Sequence, residues 1–157
     1  MGEVAQRLLF LLERAAAWPV EYDPDWQSPC VILPPEADNM VRWRPVPMES
    51  PADFADIQVR SEVRELYTSF WGGVAGGRHS DEAVLLNVAW NAEELERIRQ
   101  SLAAQLDAGE PVTVAYTGSD WYFAVDNATG AVFLCEPGRP AIRQIAASLA
   151  AFLAAVE

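Results

Sequence analysis

An α+β fold, with a mixed but mainly antiparallel sheet packed by helices, is predicted by three features of this sequence. Helical and strand segments follow one another irregularly, in the order α, ββ, α, β, α, βββ, α, whereas a parallel doubly wound sheet needs strict alternation. Asp126-Asn127-Ala128-Thr129-Gly130 separates two apolar runs, and a turn this short joins antiparallel neighbours. Hydrophobic residues make up 51% of the 157 residues, enough for one core without metals or disulfides. The length suits a single domain over 1–157.

Taken in order, residues 3–18 predict a helix. Ala5, Leu8, Leu9, Leu12, Ala15 and Ala16 form one apolar stripe, and Pro19 pushes Trp18 out of the helical region. The apolar run Leu8 to Ala17 has no basic stretch before it and is broken by Glu13 and Arg14. It reads as a helix of the domain, not as a targeting peptide. Cys30 to Leu33 and Met40 to Arg44 predict a strand pair, with Val41 and Trp43 on one face and Met40 and Arg42 on the other. Pro45, Pro47 and Pro51 mark an irregular connection. Residues 61–71 predict a second helix, burying Val63, Leu66, Tyr67 and Phe70 and exposing Glu62, Glu65 and Ser69. Gly72-Gly73 and Gly76-Gly77 predict a helix stop followed by a flexible loop. Ala83 to Trp90 reads as a strand. Asn91 and Glu94 form a capping pair for a helix to about Leu106, with Leu95, Ile98, Leu102 and Leu106 inward. Pro111 to Tyr116, Trp121 to Val125 and Ala131 to Cys135 read as strands. Pro140 is placed to open a last helix, with Ile142, Ile145, Ala146, Leu149, Phe152, Leu153 and Val156 as its stripe.

Catalytic chemistry is hard to find in this pattern. His79 is the single histidine, and no nucleophile is tied to it, so it reads as a solvated loop residue. The glycine-rich stretch from Trp71 to Arg78 follows a helix and lacks a Lys-Ser/Thr pair, whereas phosphate cradles follow a strand and open a helix. Asp53 and Asp56 share a face if 52–57 is helical, a spacing that a solvated surface also produces. Cys30 and Cys135 read as small buried thiols. No metal, cofactor or enzymatic activity is expected.

Charge is the more informative signal. The net charge is −12, and all 11 basic residues are Arg. That balance disfavours nucleic acid and anionic lipid and suits a cationic partner, although acidity also serves solubility alone. Residues 21–56 hold eight acids and two Arg, a net of −6, which is half the charge of the chain. Trp26 sits among these acids, in Glu21-Tyr22-Asp23-Pro24-Asp25-Trp26. An aromatic beside carboxylates suits recognition of Arg or Lys; equally, Trp26 can plug a sheet edge.

Several segments in order resemble the Syd family. They are Ser28-Pro29-Cys30-Val31-Ile32, Trp43-Arg44-Pro45, the stretch from Phe54 to Ile57 leading to Glu65-Leu66-Tyr67, and Trp71-Gly72-Gly73. Leu85 to Trp90 followed by Asn91-Ala92-Glu93-Glu94-Leu95, and the stretch from Ile145 to Leu153, complete the set. Two departures stand out: a shorter connection between Pro45 and Phe54, and Val74 where the family pattern leads one to expect an acid. The resemblance implies a SUKH-superfamily fold. It further implies a cytoplasmic protein attached peripherally to the inner membrane by binding SecY, the basic translocon subunit, and regulating or proofreading the translocase; a monomer is expected. The partner-binding candidates are Glu21, Asp23, Asp25, Glu49, Asp53, Asp56, Glu62 and Glu65, with Trp26 as an aromatic anchor. The superfamily also contains immunity proteins. The alternative is therefore an immunity protein whose acidic face plugs the cationic groove of a nuclease toxin, and a toxin gene directly upstream would favour it.

Overall fold

The computed structural model describes residues 1–49, 54–139, 141 and 143–157. The first helix, α1 (Glu3–Ala15), buries Val4, Ala5, Leu8, Leu11 and Leu12, one face of a 3.6-residue repeat. Leu8 and Leu12 are fully enclosed, each contributing about 1.5–3 kcal/mol of apolar burial. Three short strands follow. β1 (Val20–Glu21), β2 (Val31–Ile32) and β3 (Met40–Trp43) form an antiparallel sheet in the order β1-β3-β2. The expected alternation holds in β3, where Val41 and Trp43 are buried and Arg42 is exposed. β4 (Val46–Pro47) lies in the proline-marked connection and pairs with β5 (Phe70–Trp71) beyond α2 (Ser61–Thr68).

The main sheet is a six-stranded antiparallel meander. It comprises β6 (Val74–His79), β7 (Glu82–Asn87), β8 (Val112–Tyr116), β9 (Tyr122–Val125), β10 (Val132–Cys135) and β11 (Arg143–Ala146) in sequential order. All strand pairings among the described residues are antiparallel, so the molecule is α+β. The helix α3 (Ala92–Asp107) connects β7 to β8, and α4 (Leu149–Ala154) follows β11. Asn91 caps α3 by accepting from the Glu94 N–H at 3.0 Å. The Glu94 carboxylate in turn accepts from the Trp90 N–H at 3.0 Å, a reciprocal variant of the capping box. Gly130, at φ 82°, closes the β9–β10 turn, a conformation that favours glycine. Phe123 of β9 meets Phe152 of α4 at 4.9 Å between ring centroids. On the opposite sheet face, Gln105 of α3 donates to the Thr113 hydroxyl and accepts from its N–H.

Three expectations are corrected. The stretch Gly72 to Gly77 is not a loop after a long helix. α2 ends at Thr68, and Gly76 and Gly77 lie inside strand β6. Gly77 is required for close packing, since a Cβ there would lie 2.5 Å from Val156 Cγ1 and 2.9 Å from the Glu157 carbonyl oxygen. The turn falls later, at Ser80-Asp81, with Ser80 at φ 53°. His79 is therefore no solvated loop residue. It ends β6 half-buried, its ring stacked on Phe152 at 5.2 Å and 15°. The last apolar stripe is split as well: Arg143–Ala146 is strand β11, paired with β10, and only Leu149–Ala154 is helical. Ser148 starts that helix, its hydroxyl accepting from the Ala151 N–H at 3.1 Å, which is the preferred N-cap chemistry. Pro140 and Ile142 lie outside the described residues.

Candidate functional site

The start of β1 and the turn after it form one wall of a cleft of about 250 Å³. Val20, Glu21, Tyr22, Asp23 and Trp26 line this wall, and Val31 and Val41 contribute from the small sheet. The opposite wall is Gly72, Gly73 and Val74 at the start of β6, with Asn87, Trp90 and Glu94. The cleft thus spans the gap between the small sheet and the main sheet. It sets three carboxylates beside two tryptophans.

Local chemistry explains why the wall holds its shape. The Asp23 carboxylate accepts from the Asp25 N–H at 2.9 Å, and the Asp23 carbonyl accepts from the Trp26 N–H at 3.1 Å. This is an Asx-type turn, which Asp favours because its side chain mimics the backbone. The loop is then tied to the start of α3. The Ser28 hydroxyl donates to the Trp90 carbonyl at 2.6 Å, and Asn91 donates to the Gln27 carbonyl at 2.9 Å. Trp90 meets Trp43 edge-on at 5.8 Å between centroids. Trp43 itself is only 4% exposed and donates its indole N–H to the Trp18 carbonyl. Trp26 is half-buried, with the Arg97 guanidinium 5.3 Å from its ring centroid. A cation–π contact is therefore already made at this ring.

The acids singled out in the sequence do not all converge. Glu21, Asp23 and Trp26 share the cleft. Asp25 is exposed in the same turn, and Glu49 is exposed beyond β4. Asp56 is also exposed and pairs with Arg99 at 3.2 Å. Arg97 and Arg99 are two positions apart on α3, about 200° around the helix, so Asp56 and Trp26 sit on opposite flanks of it. Asp53 lies outside the described residues. Glu62 and Glu65 do not stand on an exposed face as expected. Both are half-buried. Glu65 accepts from the Ala5 N–H at 2.7 Å, and Glu62 accepts from the Ala150 N–H at 3.0 Å. Each carboxylate satisfies an orphan donor at a helix N-terminus, where the helix dipole favours negative charge. Two cleft residues carry other readings in the sequence: Glu94 as a cap and Trp90 as the end of a strand. Their sequence neighbours carry no sign that they face Glu21 across a gap.

The titratable groups add little catalytic potential. Burial raises the Cys30 thiol pKa, partly offset by hydrogen bonds from Ser28 and the Val46 backbone. Burial also raises that of Cys135. Both thiols are buried and unbonded to each other, the opposite of an activated nucleophile. The Glu96 pKa is lowered, chiefly by its hydrogen bond to Arg99, in an ion pair outside the cleft lining whose arginine is partly covered. Among the described residues, no group of three or more His, Cys, Asp or Glu is placed to hold a metal ion. No helix among them is long and apolar enough to cross a membrane.

Comparison with known proteins gives one consistent result. The family described as Syd protein (SUKH-2) matches residues 8–157. A protein named Protein Syd from Pseudoalteromonas atlantica is 32% identical, over 94% of this chain and 88% of its own length. Namesakes from Colwellia psychrerythraea and Hahella chejuensis are 26% and 27% identical, over 85% and 83% of this chain and 78% and 74% of their own lengths. With the match running from within α1 to the C-terminal residue, the chain belongs to the Syd family.

Proposed function

We propose that this protein binds the basic cytoplasmic loops of SecY through the cleft between its two sheets, and that by doing so it regulates or proofreads the translocase. The observation that carries this reading is the union of Glu21, Asp23 and Trp26 in one concavity with Glu94 and Trp90. Cytoplasmic loops of membrane proteins are enriched in Lys and Arg. Such a loop would find carboxylates for its cations and indole faces for its guanidinium groups and aliphatic stems. The net charge of −12 favours encounter, and the short-range contacts of the cleft then set register. Glu62 and Glu65 act through the fold in this reading, while Asp25 and Glu49 add to the field from outside the cleft. The Syd family name and the fold point to a non-catalytic protein. In this reading the protein works as a monomer and attaches to the cytoplasmic face of the inner membrane through its partner alone.

Capture of detergent-solubilised SecY tests the proposal. Reversing charge at two cleft positions, Glu21→Lys with Asp23→Lys, is expected to weaken binding about tenfold or more at low salt. Unchanged capture by that double variant would remove the cleft as the binding site.

A further inference from the structure

The outer edge of β6 is guarded along only part of its length. Arg78 exchanges both of its backbone hydrogen bonds with Glu157, N–H to carbonyl at 2.9 Å and carbonyl from N–H at 2.8 Å. Those groups therefore point away from β7. Strand groups alternate in direction, so the backbone groups of Gly76 and Val74 point the same way. The Gly76 carbonyl is covered by Arg14, which donates to it at 2.9 Å. Beyond that point the cover stops. The Val74 N–H, the Val74 carbonyl and the Gly76 N–H make no hydrogen bond among the described residues.

Proteins normally blunt an exposed strand edge, and here the C-terminal residue and one arginine do so for half of it. The open half lies in a second cavity, of about 470 Å³, lined by Trp18, Pro19, Val20, Trp43, Val74 and Gly76 together with Arg14 and Ala15. Trp18 is 75% exposed and Val74 56% exposed. Val20 and Val74 also line the acidic cleft, so the two cavities adjoin at these residues. The facing strand β1 has its own free edge. The Tyr22 N–H bonds the Asn39 carbonyl, which makes Glu21 the residue whose backbone groups point away from β3.

We infer that the open edge of β6 at Val74–Gly76 takes up an extended segment of a basic partner polypeptide as an added strand. Backbone hydrogen bonds to Val74 and Gly76 would supply affinity, and alternate side chains would supply specificity. One side-chain row would lie on the apolar surface of Trp18 and Val74, and cationic side chains would reach Glu21 and Asp23. Charge complementarity selects this occupant: the adjoining cleft, which Val74 also lines, has three carboxylates, Glu21, Asp23 and Glu94, among its lining residues. The nearby Arg14 is already engaged by the Gly76 carbonyl and the Phe10 ring. The inference rests on partner binding at the cleft and adds the mode of binding.

The test uses short synthetic peptides spanning the Lys/Arg-rich cytoplasmic loops of SecY, titrated into isotope-labelled protein. Amide hydrogen exchange should slow at Val74 and Gly76 when the binding peptide is added. The Ala75 and Gly77 amides, already inside the ladder, should not change. Methylating alternate backbone nitrogens of that peptide, with its side chains intact, should weaken binding about tenfold. Val74→Pro should do the same, because proline removes only an N–H that faces away from the ladder. The inference is overturned, with the cleft reading intact, if a peptide binds and responds to Glu21→Lys and Asp23→Lys while the Val74 and Gly76 amides gain no protection. Protection of these amides that rises with protein concentration alone assigns the edge to a second copy of the chain and also overturns it. If neither peptide nor intact SecY responds to the charge reversals, both readings fail.

Discussion

Glu65 shows how a single acidic side chain can be spent inside the fold. Its carboxylate meets the Ala5 N–H in the first turn of α1, where Gly2, the residue before the helix, offers no side-chain cap. Gly2 also leaves the space that this carboxylate occupies, since a Cβ there would clash with it. Removing the acceptor leaves a partly buried donor unsatisfied. Glu65→Ala is therefore expected to destabilise the protein by about 1–2 kcal/mol, read as a lower denaturant midpoint. Glu65→Gln keeps an acceptor oxygen and should lose less. A surface acid used only for partner recognition would show neither effect. Asp23 behaves differently, with its side chain in a local turn and the cleft beside it. Two residues of the same chemical kind thus end in different places, one in a helix cap and one at the cleft, according to what lies opposite them.

At the scale of elements, β6 governs both stability and the candidate site. Its far half is locked by the C-terminal residue, which sits on Gly77 and pairs with Arg78. Gly77→Ala would place a methyl group 2.5 Å from Val156 and 2.9 Å from the Glu157 carbonyl. The expected cost is about 1–3 kcal/mol of overpacking. The C-terminal residue would be displaced, and amide exchange at Arg78 would speed up in parallel. Exchange at Arg78 equal to that of the unaltered protein would show that the C-terminal lock does not depend on Gly77. The loop from Asp23 to Ser28 is the second element that matters. Its side-chain links to Trp90 and Asn91 join the cleft wall to the start of α3, so capping of α3 and shape of the cleft are coupled.

For the molecule as a whole, net charge and its layout act at different ranges. Half of the −12 is carried by residues 21–56, yet these acids disperse in space. Glu36 is paired with Arg42 at 3.0 Å, and Asp56 with Arg99 at 3.2 Å. Glu21 and Asp23 remain at the cleft. The long-range field is thus general, and the local contact is confined. Under the proposed function, association with SecY is expected to slow by about tenfold or more between low and high ionic strength, while dissociation changes less. Surface-immobilised SecY and stopped salt jumps would measure both rates. A rate of association insensitive to salt would remove electrostatic steering from the account.

How much of this was legible before folding depends on the range of the interactions involved. Periodicity identified α1 and α3, the Asn91–Glu94 cap and the Gly130 turn, because each is written within a few neighbouring residues. The family pattern was legible too, as an ordered set of short segments. The joining of Glu21, Asp23 and Trp26 to Glu94 was not, since it needs two sheets to meet across a gap. Glu65 and Ala5 are 60 positions apart, and Glu62 and Ala150 are 88 apart. Helical spacing alone left both acids on a surface that the packed helices instead close. Gly76 and Gly77 read as a loop because glycine is locally permissive; strand pairing and the C-terminal residue made them strand. The last apolar stripe fitted a helix until β10 offered Arg143–Ala146 a partner. The sequence by itself therefore determined the elements written in local periodicity and capping, the charge and the family. Only the tertiary structure decided which carboxylates serve the fold, which face the cleft and which strand edge stays open, because each depends on partners remote along the chain.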